Sequence, residues 1–486
     1  MIVATQLSSV AVVVALVASD VVLLAGTAMG RSTKGPPRKP GVPAATLEGP
    51  ITVGEITTPF DPRNTDLAKL GYVESEWFAS GTATRYAQVG ERTADGRWEV
   101  TPDGQAPYKT RIIVRMPADP KDFRGVVALE WINVSAFELA PDWAYLSDDA
   151  IARTGVAWIG ISAQALGIEG GEPILDTGEP NASIVEGIKV TNPTRYASLV
   201  HPGDAYSFDI FSQIGAALRS KTGQKVLNSA RIKRVLAIGE SQSAGFLTAY
   251  VNGVDRIAKV FDGYFVHSRF AGAANYDGTP SIRNATVGYR IRTDLKVPVF
   301  VFETETDTLN GYARAWQPDT KGIRVWEVAG TAHSDTYLVG ALARFLCTEP
   351  INDGPQHWVA KAAFTHLVEW VTNGTAPPHA QPIESDDTTI HRDGHGIALG
   401  GIRTPDVDVP VATLSGENSG GGRDFCRLLG STVAFDDATL RSLYPTTEAY
   451  VTAFNKALNK AIRAGYVRKS DRDEYAARAE EVTIPD

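Results

Sequence analysis

The chain has 486 residues, of which 43% are hydrophobic and 21% are charged, a globular composition that excludes a wholly disordered or fibrous protein. Acidic residues outnumber basic ones by 56 to 47, the net charge is −9, and no basic run is long enough to neutralise a phosphate backbone. We therefore expect no nucleic-acid partner.

The first 50 residues carry two patterns that differ from the rest of the chain. Residues 10–28 are mostly Ala, Val and Leu, which is typical of a signal peptide or membrane anchor, although Asp20 interrupts the run. No Lys or Arg precedes this run, whereas Arg and Lys residues follow it, the reverse of the usual charge order of an export signal. Residues 1–30 are therefore assigned to a possible signal peptide or anchor. The sequence does not decide between a secreted or envelope-associated location and a cytoplasmic one, and membrane association also stays open. Residues 31–50 are rich in Pro, Lys and Gly and predict a flexible linker, so that the folded domain is expected to begin near Ile51.

Strands alternating with helices are predicted for the remainder of the chain. The runs at 125–132 and 155–162 are almost continuously apolar, as expected of parallel strands buried on both faces. Asp204 is the expected N-cap of the helix that follows it. The alternation predicts one α/β domain over 51–486, with a mostly parallel, doubly wound sheet whose strand carboxyl ends gather the functional groups. The predicted strands are 82–89, 110–116, 125–132, 155–162, 235–238, 260–266, 297–302 and 323–328, and the predicted helices are 205–220, 242–251, 357–371 and 446–464, with another near 438.

Two further segments are assigned within this domain. Residues 269–295 are too long for a simple connection between strands and predict a lid over the functional edge of the sheet. The chain also continues for about 150 residues after the last predicted strand, and residues from about 350 to 486 predict a C-terminal helical extension.

The strongest local signal is the run 235–245, which is a buried strand, a tight turn of small residues and then a helix. This is the context of a nucleophile elbow, in which small residues two positions before and after a serine let the strand and the helix approach. Gly239 and Ser243 hold those positions around Ser241. A competing frame centres on Ser243, but the apolar strand stops at Ile238, and we therefore favour Ser241 as the nucleophile. A turn that merely starts a helix is the structural alternative.

Two further residue types follow in the order that a serine nucleophile needs. A serine hydroxyl attacks only weakly unless an imidazole takes its proton, and the imidazole needs a carboxylate to orient it. His333 lies in the loop after the last predicted strand, and Asp307 follows the strand 297–302 at the depth where the acid is usual. Glu305 is closer to the strand and one methylene longer, and it stays the alternative acid, whereas Glu303 is interpreted as the strand terminus. The order Ser, acid, His is that of the α/β-hydrolase fold.

Three other positions at the strand ends have expected roles. The amide of Gln242, at a helix N-terminus, is expected to stabilise an oxyanion. The second donor is expected from Ile132, Asn133 or Val134, and we select Asn133. His267 ends another strand and is expected either to contact substrate or to pack beneath the lid.

The remaining histidines and the cysteines do not predict a metal site. His391 and His395 flank Asp393, but the surrounding glycines indicate a loop, and we predict neither a metal nor a cofactor. Cys347 and Cys426 are too few for a zinc ribbon or a disulfide-dense scaffold, and they are either two buried thiols or one bridge.

Several motifs also occur together in a known family. They include Glu130-Trp131-Ile132-Asn133-Val134-Ser135, His201-Pro202-Gly203-Asp204, Gly239-Glu240-Ser241-Gln242-Ser243, Thr304-Glu305-Thr306-Asp307, Ala329-Gly330-Thr331-Ala332-His333 and Phe425-Cys426. Through them the chain resembles, over almost its whole length, the largely uncharacterised α/β-hydrolase domain proteins of actinobacteria and related bacteria. The resemblance implies the α/β-hydrolase fold, a hydrolase activity, the three positions already named and a bridge between the two cysteines.

The expected activity is hydrolysis of a small carboxylic ester through an acyl-enzyme formed on Ser241. An acyltransferase or an amidase on the same three residues is the alternative within enzymes, because the fold does not determine the acyl acceptor or leaving group. A noncatalytic ligand-binding homologue is the alternative outside enzymes. The acyl and alcohol parts of the substrate and the oligomeric state are not predicted.

Overall fold

A nine-stranded β-sheet lies at the centre of the computed structural model. The structure describes residues 38–485 apart from 62, 176–183, 222, 281–284, 341–345, 388 and 421–423. In chain order the strands are β1 (Thr46–Glu48), β2 (Tyr72–Val89), β3 (Glu99–Pro117), β4 (Val126–Trp131), β5 (Ala157–Ile161), β6 (Gly170–Gly171), β7 (Val185–Glu186), β8 (Arg234–Glu240), β9 (Gly263–His267), β10 (Val299–Thr304), β11 (Ile323–Val328), β12 (Ser385–Asp386), β13 (Thr389–Ile390), β14 (Ala412–Ser415) and β15 (Ser431–Ala434).

The strands of the central sheet follow the order β1-β2-β3-β5-β4-β8-β9-β10-β11. β1, β2, β3 and β5 pair antiparallel, whereas every pair from β5 through β11 is parallel. All six residues of β4 are buried, including Glu130, as its almost continuously apolar run predicts. The mostly parallel sheet confirms the predicted fold class. The first hairpin is longer than the sequence predicts, since β2 and β3 pair along nearly their whole length.

Helices lie on both faces of this sheet. Phe211 of one helix and Phe246 of another pack against Trp131 of β4 on one face, and on the opposite face Trp143 packs against Trp158 of β5. Neighbouring strand residues point to opposite faces, so each strand supplies both hydrophobic layers. The helices are α1 (Pro141–Leu146), α2 (Ala165–Glu169), α3 (Ile188–Thr191), α4 (Pro193–Tyr196), α5 (Ser207–Leu218), α6 (Gln242–Ala249), α7 (Asp255–Ala258), α8 (Glu305–Asp307), α9 (Ala313–Ala315), α10 (Thr336–Val339), α11 (Gln356–Asn373), α12 (Pro405–Asp408), α13 (Asp437–Leu443), α14 (Thr447–Ala464) and α15 (Arg472–Glu480).

The described part of the predicted linker is packed against the domain. Arg38 pairs with Asp255 at 2.6 Å, and β1 adds an antiparallel strand to the edge of the sheet. The ordered chain therefore includes residues that precede Ile51, because the backbone of β1 finds hydrogen-bonding partners on β2. The predicted signal peptide or anchor at 1–30 lies outside the described residues. Within the described ranges, no helix is both long enough and apolar enough to span a membrane.

Asp204 does not cap the helix that follows it. A single 3₁₀ turn over Asp204–Tyr206 separates it from α5, and its carboxylate accepts hydrogen bonds from the amide of Ala165 and the side chain of Gln164. The N-cap prediction is wrong because the carboxylate holds the start of α2 instead.

The segment predicted as a lid packs mainly away from the functional edge. Tyr276 contacts Trp98 and Phe208 edge-on or at a tilt, and Gly278 lies against the backbone of Asp204. Phe270, at the beginning of the segment, is the described residue that reaches the predicted site. These long-range contacts determine where the rest of the segment lies, and the length of the segment does not predict them.

The C-terminal part of the chain begins with a helix of the main layer. α11 packs on β9 and β10, and the segments after it form a further hydrophobic cluster around α14 and α15. A disulfide joins Cys347 to Cys426, with a Cα–Cα distance of 5.6 Å. The structure therefore contains the bridge that the family resemblance implies.

Candidate active site

Ser241 occupies a strained turn between β8 and α6. Its backbone has φ 60° and ψ −117°, a conformation that costs a non-glycine residue on the order of 1–3 kcal/mol. The turn requires small neighbours, because a Cβ added at Gly239 would lie 3.0 Å from Cβ of Ser243. The amide of Ser241 donates to the carbonyl of His267 at 2.9 Å, which ties the turn to β9. The turn holds the Ser241 side chain at the carboxyl edge of the sheet.

Three side chains that are far apart in sequence form a hydrogen-bonded series at this edge. Oγ of Ser241 lies 2.7 Å from Nε2 of His333, and Nδ1 of His333 lies 2.7 Å from Oδ1 of Asp307. His333 comes from the loop after β11, and the ring of Phe270 stacks on it with a centroid distance of 5.0 Å. With its proton on Nδ1, the imidazole leaves Nε2 free to accept a proton from Ser241.

Asp307 is held in place by the residue that ends β10. Its Oδ2 accepts hydrogen bonds from the amide of Thr304 at 2.8 Å and from the Thr304 hydroxyl at 2.7 Å. The amide of Asp307 donates back to that hydroxyl, which completes a capping box at the start of α8. Since Oδ2 is fully engaged by donors, Oδ1 is the oxygen directed at His333.

Glu305, the alternative acid, has other partners. Its carboxylate accepts the amides of Gly330 and Gly416 and one guanidinium nitrogen of Arg392. Burial raises the pKa of Glu305, and Arg392 opposes that shift. The side chain therefore joins the His333 loop to the loop around Gly416, and the structure brings Asp307 rather than Glu305 to the imidazole.

The competing nucleophile Ser243 is the second residue of α6. Its side chain is fully buried, and its hydroxyl has no hydrogen-bond partner among the described residues. Ser241 borders a cavity that His333 also lines, whereas Ser243 does not border it. The frame centred on Ser241 is thus the one that faces a space where a substrate can lie.

The candidate oxyanion donors differ in whether a described residue already accepts a hydrogen bond from their amide. The amide of Gln242 stands at the first position of α6, and no described residue accepts it. The amide of Ile132 donates to Ile161, and the amide of Asn133 donates to the carbonyl of Leu139 at 2.9 Å, so the selected donor is already engaged. The amide of Val134 donates to the side-chain oxygen of Gln242 at 3.1 Å.

A cavity of about 340 Å³ opens at Ser241 and His333. The side chains that border it are mainly aliphatic or aromatic, and Asn133, Glu240 and His333 are the polar ones that are linked by contacts to the Ser241 group. The polar members are Asn133, Ser135, Glu240, Ser241, His333 and Ser334, and the apolar members are Phe60, Ala136, Phe137, Leu139, Pro141, Leu175, Leu338, Val339, Leu346, Phe425, Leu428 and Leu429. The described residues of the predicted lid do not border this cavity, which is enclosed by the loops after β4 and β11 and by the region of the disulfide.

The family model of the alpha/beta hydrolase domain matches residues 47–477. The chain belongs to this family. The match covers most of the chain, from β1 to α15, and it agrees with the mostly parallel sheet. The bacterial group named by the resemblance stays a prediction. No curated protein matches the sequence.

Solved structures that this alpha/beta hydrolase resembles are distant. A fungal esterase from Rhizomucor miehei aligns with a TM-score of 0.30 and 10% identity, covering 60% of this chain and 84% of that chain. XC6422 from Xanthomonas campestris, described as a serine hydrolase without a lid, aligns at 0.29 and 10%, covering 53% and 92%. A putative dienelactone hydrolase from Klebsiella pneumoniae aligns at 0.23 and 11%, covering 47% and 73%.

Sequence reasoning did not identify Glu240, which precedes the nucleophile position of this alpha/beta hydrolase. Its Oε1 lies 3.2 Å from Nε2 of His333, and its side chain borders the cavity. Burial raises the pKa of Glu240 well above its usual value, and the nearby carboxylates of Asp142 and Asp307 raise it further. The residue was present in the elbow motif, but its burial beside the imidazole depends on the fold and carries no local signal.

His267 lies behind the site rather than in the cavity. The side chain is fully buried, with Nδ1 2.8 Å from Oδ1 of Asp142 and Nε2 3.2 Å from the side-chain nitrogen of Gln356. It does not border the cavity, so the structure does not place it in contact with substrate. The ring instead helps connect α1 and α11 beneath the functional edge.

The histidines considered for a metal have other contacts. Nε2 of His391 lies 3.0 Å from Asp386, and the ring of His395 packs on Phe435. Among the described residues, no group of three or more His, Cys, Asp or Glu side chains could hold a metal ion.

Proposed function

We propose that the protein is a serine hydrolase that cleaves a small-molecule carboxylic ester through an acyl-enzyme intermediate. The observation that carries the proposal is the series of two 2.7 Å contacts from Ser241 through His333 to Asp307, which begins at the wall of an open cavity. A hydroxyl, an imidazole and a carboxylate in this arrangement can move one proton at neutral pH without a cofactor.

In the proposed first half-reaction, Oγ of Ser241 attacks the ester carbonyl while Nε2 of His333 takes its proton. Asp307 keeps the imidazole oriented and stabilises its cationic form. The proton then passes from His333 to the departing alcohol oxygen, which leaves the acyl group on Ser241. In the second half-reaction a water molecule gives a proton to His333 and attacks the acyl carbonyl. His333 then returns that proton to Oγ of Ser241 as the bond between Oγ and the acyl carbon breaks, and the free acid leaves.

Two amides are proposed to stabilise the negative charge on the carbonyl oxygen. The first is the amide of Gln242, which has no described acceptor and stands at a helix N-terminus. For the second we now favour Val134 over Asn133. The amide of Asn133 donates to a backbone carbonyl, whereas the acceptor of the Val134 amide is a side chain, that of Gln242 beside Ser241.

Hydrolysis of p-nitrophenyl butyrate tests this proposal, with Ser241→Ala as the decisive variant. We expect wild-type turnover with a burst of nitrophenol, and a loss of kcat of at least ~10³-fold in Ser241→Ala. Ser243→Ala is the matched control, because its hydroxyl is buried without a described partner, and it should keep activity. Equal activity in wild type and Ser241→Ala would contradict the proposal.

The same assay separates the other readings of the site. Products of the reaction with added alcohol distinguish a hydrolase, which releases free acid, from an acyltransferase, which releases a new ester. Parallel assays with p-nitroanilide substrates detect an amidase. Binding of an ester without turnover would instead indicate a noncatalytic homologue.

A further inference from the structure

The walls of the cavity beside Ser241 indicate the kind of ester that it takes. Most of the described residues that border it are aliphatic or aromatic, and four of the polar ones, Asn133, Glu240, His333 and Ser241, are joined to one another by contacts at the reacting hydroxyl. A substrate with hydroxyl or charged groups away from its ester would leave those groups without hydrogen-bond partners there, which costs binding free energy. The buried part of the substrate is therefore apolar.

The opening of the cavity is apolar as well. Phe60 and Phe137 border it with 42% of each residue exposed, and Leu346 borders it with 45% exposed. The rings of Phe60 and Phe137 meet edge-on with centroids 5.4 Å apart. Exposed side chains of this size clustered at one cavity mark a surface that an apolar ligand covers. This opening lets an apolar chain extend beyond the enclosed volume.

The charges around the cavity favour a neutral substrate. Among the described residues that border it, none is Lys or Arg, and the ionisable ones are Glu240 and His333. A substrate carboxylate would find no cationic partner among these described residues. The same lack of solvation that raises the pKa of Glu240 would also penalise a second carboxylate.

We propose that the site takes uncharged esters in which one side of the ester bond is an apolar chain of medium length. This proposal rests on the serine hydrolase function proposed above. At about 30 Å³ for each group of water size, the cavity of about 340 Å³ holds roughly ten non-hydrogen atoms. The enclosed chain therefore corresponds to about eight carbons beyond the ester carbonyl.

Hydrolysis rates for two homologous series of esters test the proposed length of the substrate's apolar chain. One series lengthens the acyl chain of p-nitrophenyl esters from acetate to laurate, and the other lengthens the alcohol of butyrate esters. We expect kcat/KM to rise in at least one series by up to about fourfold per methylene until about eight carbons, and then to level off. A flat or falling dependence in both series, with acetate hydrolysed well, would overturn the proposal while leaving the serine hydrolase function intact. No turnover of any ester would overturn both.

A variant at the opening makes the test specific to this surface. Phe137→Ser should lower kcat/KM for p-nitrophenyl octanoate about tenfold more than it lowers the value for the acetate, because the octanoyl chain buries more apolar surface. Val433→Ser on β15 is the control, because Val433 is also 42% exposed and does not border the cavity. Equal losses for octanoate and acetate in Phe137→Ser would contradict the proposed contact.

Charge is tested with two esters of equal length. p-Nitrophenyl octanoate is compared with the mono-p-nitrophenyl ester of octanedioic acid, which carries a carboxylate at the far end of the same chain. We expect kcat/KM for the anionic ester to be lower by about 100-fold or more. Equal values for the two esters would overturn the inference that the substrate is neutral.

Discussion

Replacing Asp307 by Asn should inactivate the enzyme by reversing the imidazole tautomer. The amide and the hydroxyl of Thr304 both donate to Oδ2 of Asp307, so the oxygen of an Asn side chain must take that position. Its NH₂ group then faces Nδ1 of His333, which must accept, and the imidazole proton moves to Nε2. Because Nε2 then cannot take the proton of Ser241, we expect kcat to fall by about 10⁴-fold, or about 5.5 kcal/mol.

Glu305→Gln is the matched control for this prediction, since it changes a buried carboxylate two residues away. The amide of Gly330 donates to Oε1 of Glu305, whereas the amide of Gly416 and Arg392 donate to Oε2, so the single oxygen of a Gln side chain keeps the partners of one side only. The charge that faces Arg392 is lost as well. We expect the free energy of unfolding to fall by about 1–3 kcal/mol and kcat to stay within about tenfold of wild type. Ester hydrolysis and urea denaturation measure the two effects separately. A kcat for Asp307→Asn within about tenfold of wild type, or a deeper loss in Glu305→Gln, would refute the assignment of the acid.

Three further predictions concern buried groups. Glu240→Gln should remove one titration from the pH–rate profile, because burial raises the pKa of the Glu240 carboxyl, 3.2 Å from Nε2 of His333, well above its usual value and a Gln amide does not titrate; pH–rate profiles of wild type and variant check this. Burial raises the pKa of Glu327 from 4.5 to about 7, so the free energy of unfolding of the wild type should fall as the pH rises from about 4.5 through about 7. In Glu327→Gln this fall should be smaller by up to roughly 3 kcal/mol. Thermal unfolding measured against pH checks the difference. Replacing Cys347 and Cys426 together by Ser opens a loop with a sequence separation of 79 and should lower the free energy of unfolding by about 4 kcal/mol in denaturant titrations; an unchanged value would contradict it.

The parts of the structure that could be predicted are those with a local signal. The almost continuously apolar run of β4 and the order of strand, small turn and helix around Ser241 depend on neighbours in sequence, and both occur where they were expected. The choice of Asp307 over Glu305 also had a local signal that was not used. Thr304 and Asp307 have the spacing of a capping box, which holds the carboxylate of Asp307 against the end of β10.

The parts that could not be predicted depend on contacts between distant segments. The amide of Asn133 is engaged by Leu139 through an isolated bridge that no local pattern indicates. His267 ends a strand at the expected edge, yet its ring turns to Asp142 and away from the cavity. The length of 269–295 likewise indicates that this segment is more than a short connection between strands. Its position is determined by the packing of Tyr276 on Trp98, which is distant in sequence.

The most direct test of the proposed proton path is the site of modification by a fluorophosphonate. After exposure of the full chain to the reagent, mass spectrometry of its peptides should locate one adduct on Ser241. The adduct should be absent in Ser241→Ala and strongly slowed in His333→Ala, because Oγ of Ser241 lies 2.7 Å from Nε2 of His333 and depends on it for activation. An adduct on Ser243, or labelling that is unchanged in both variants, would contradict the account.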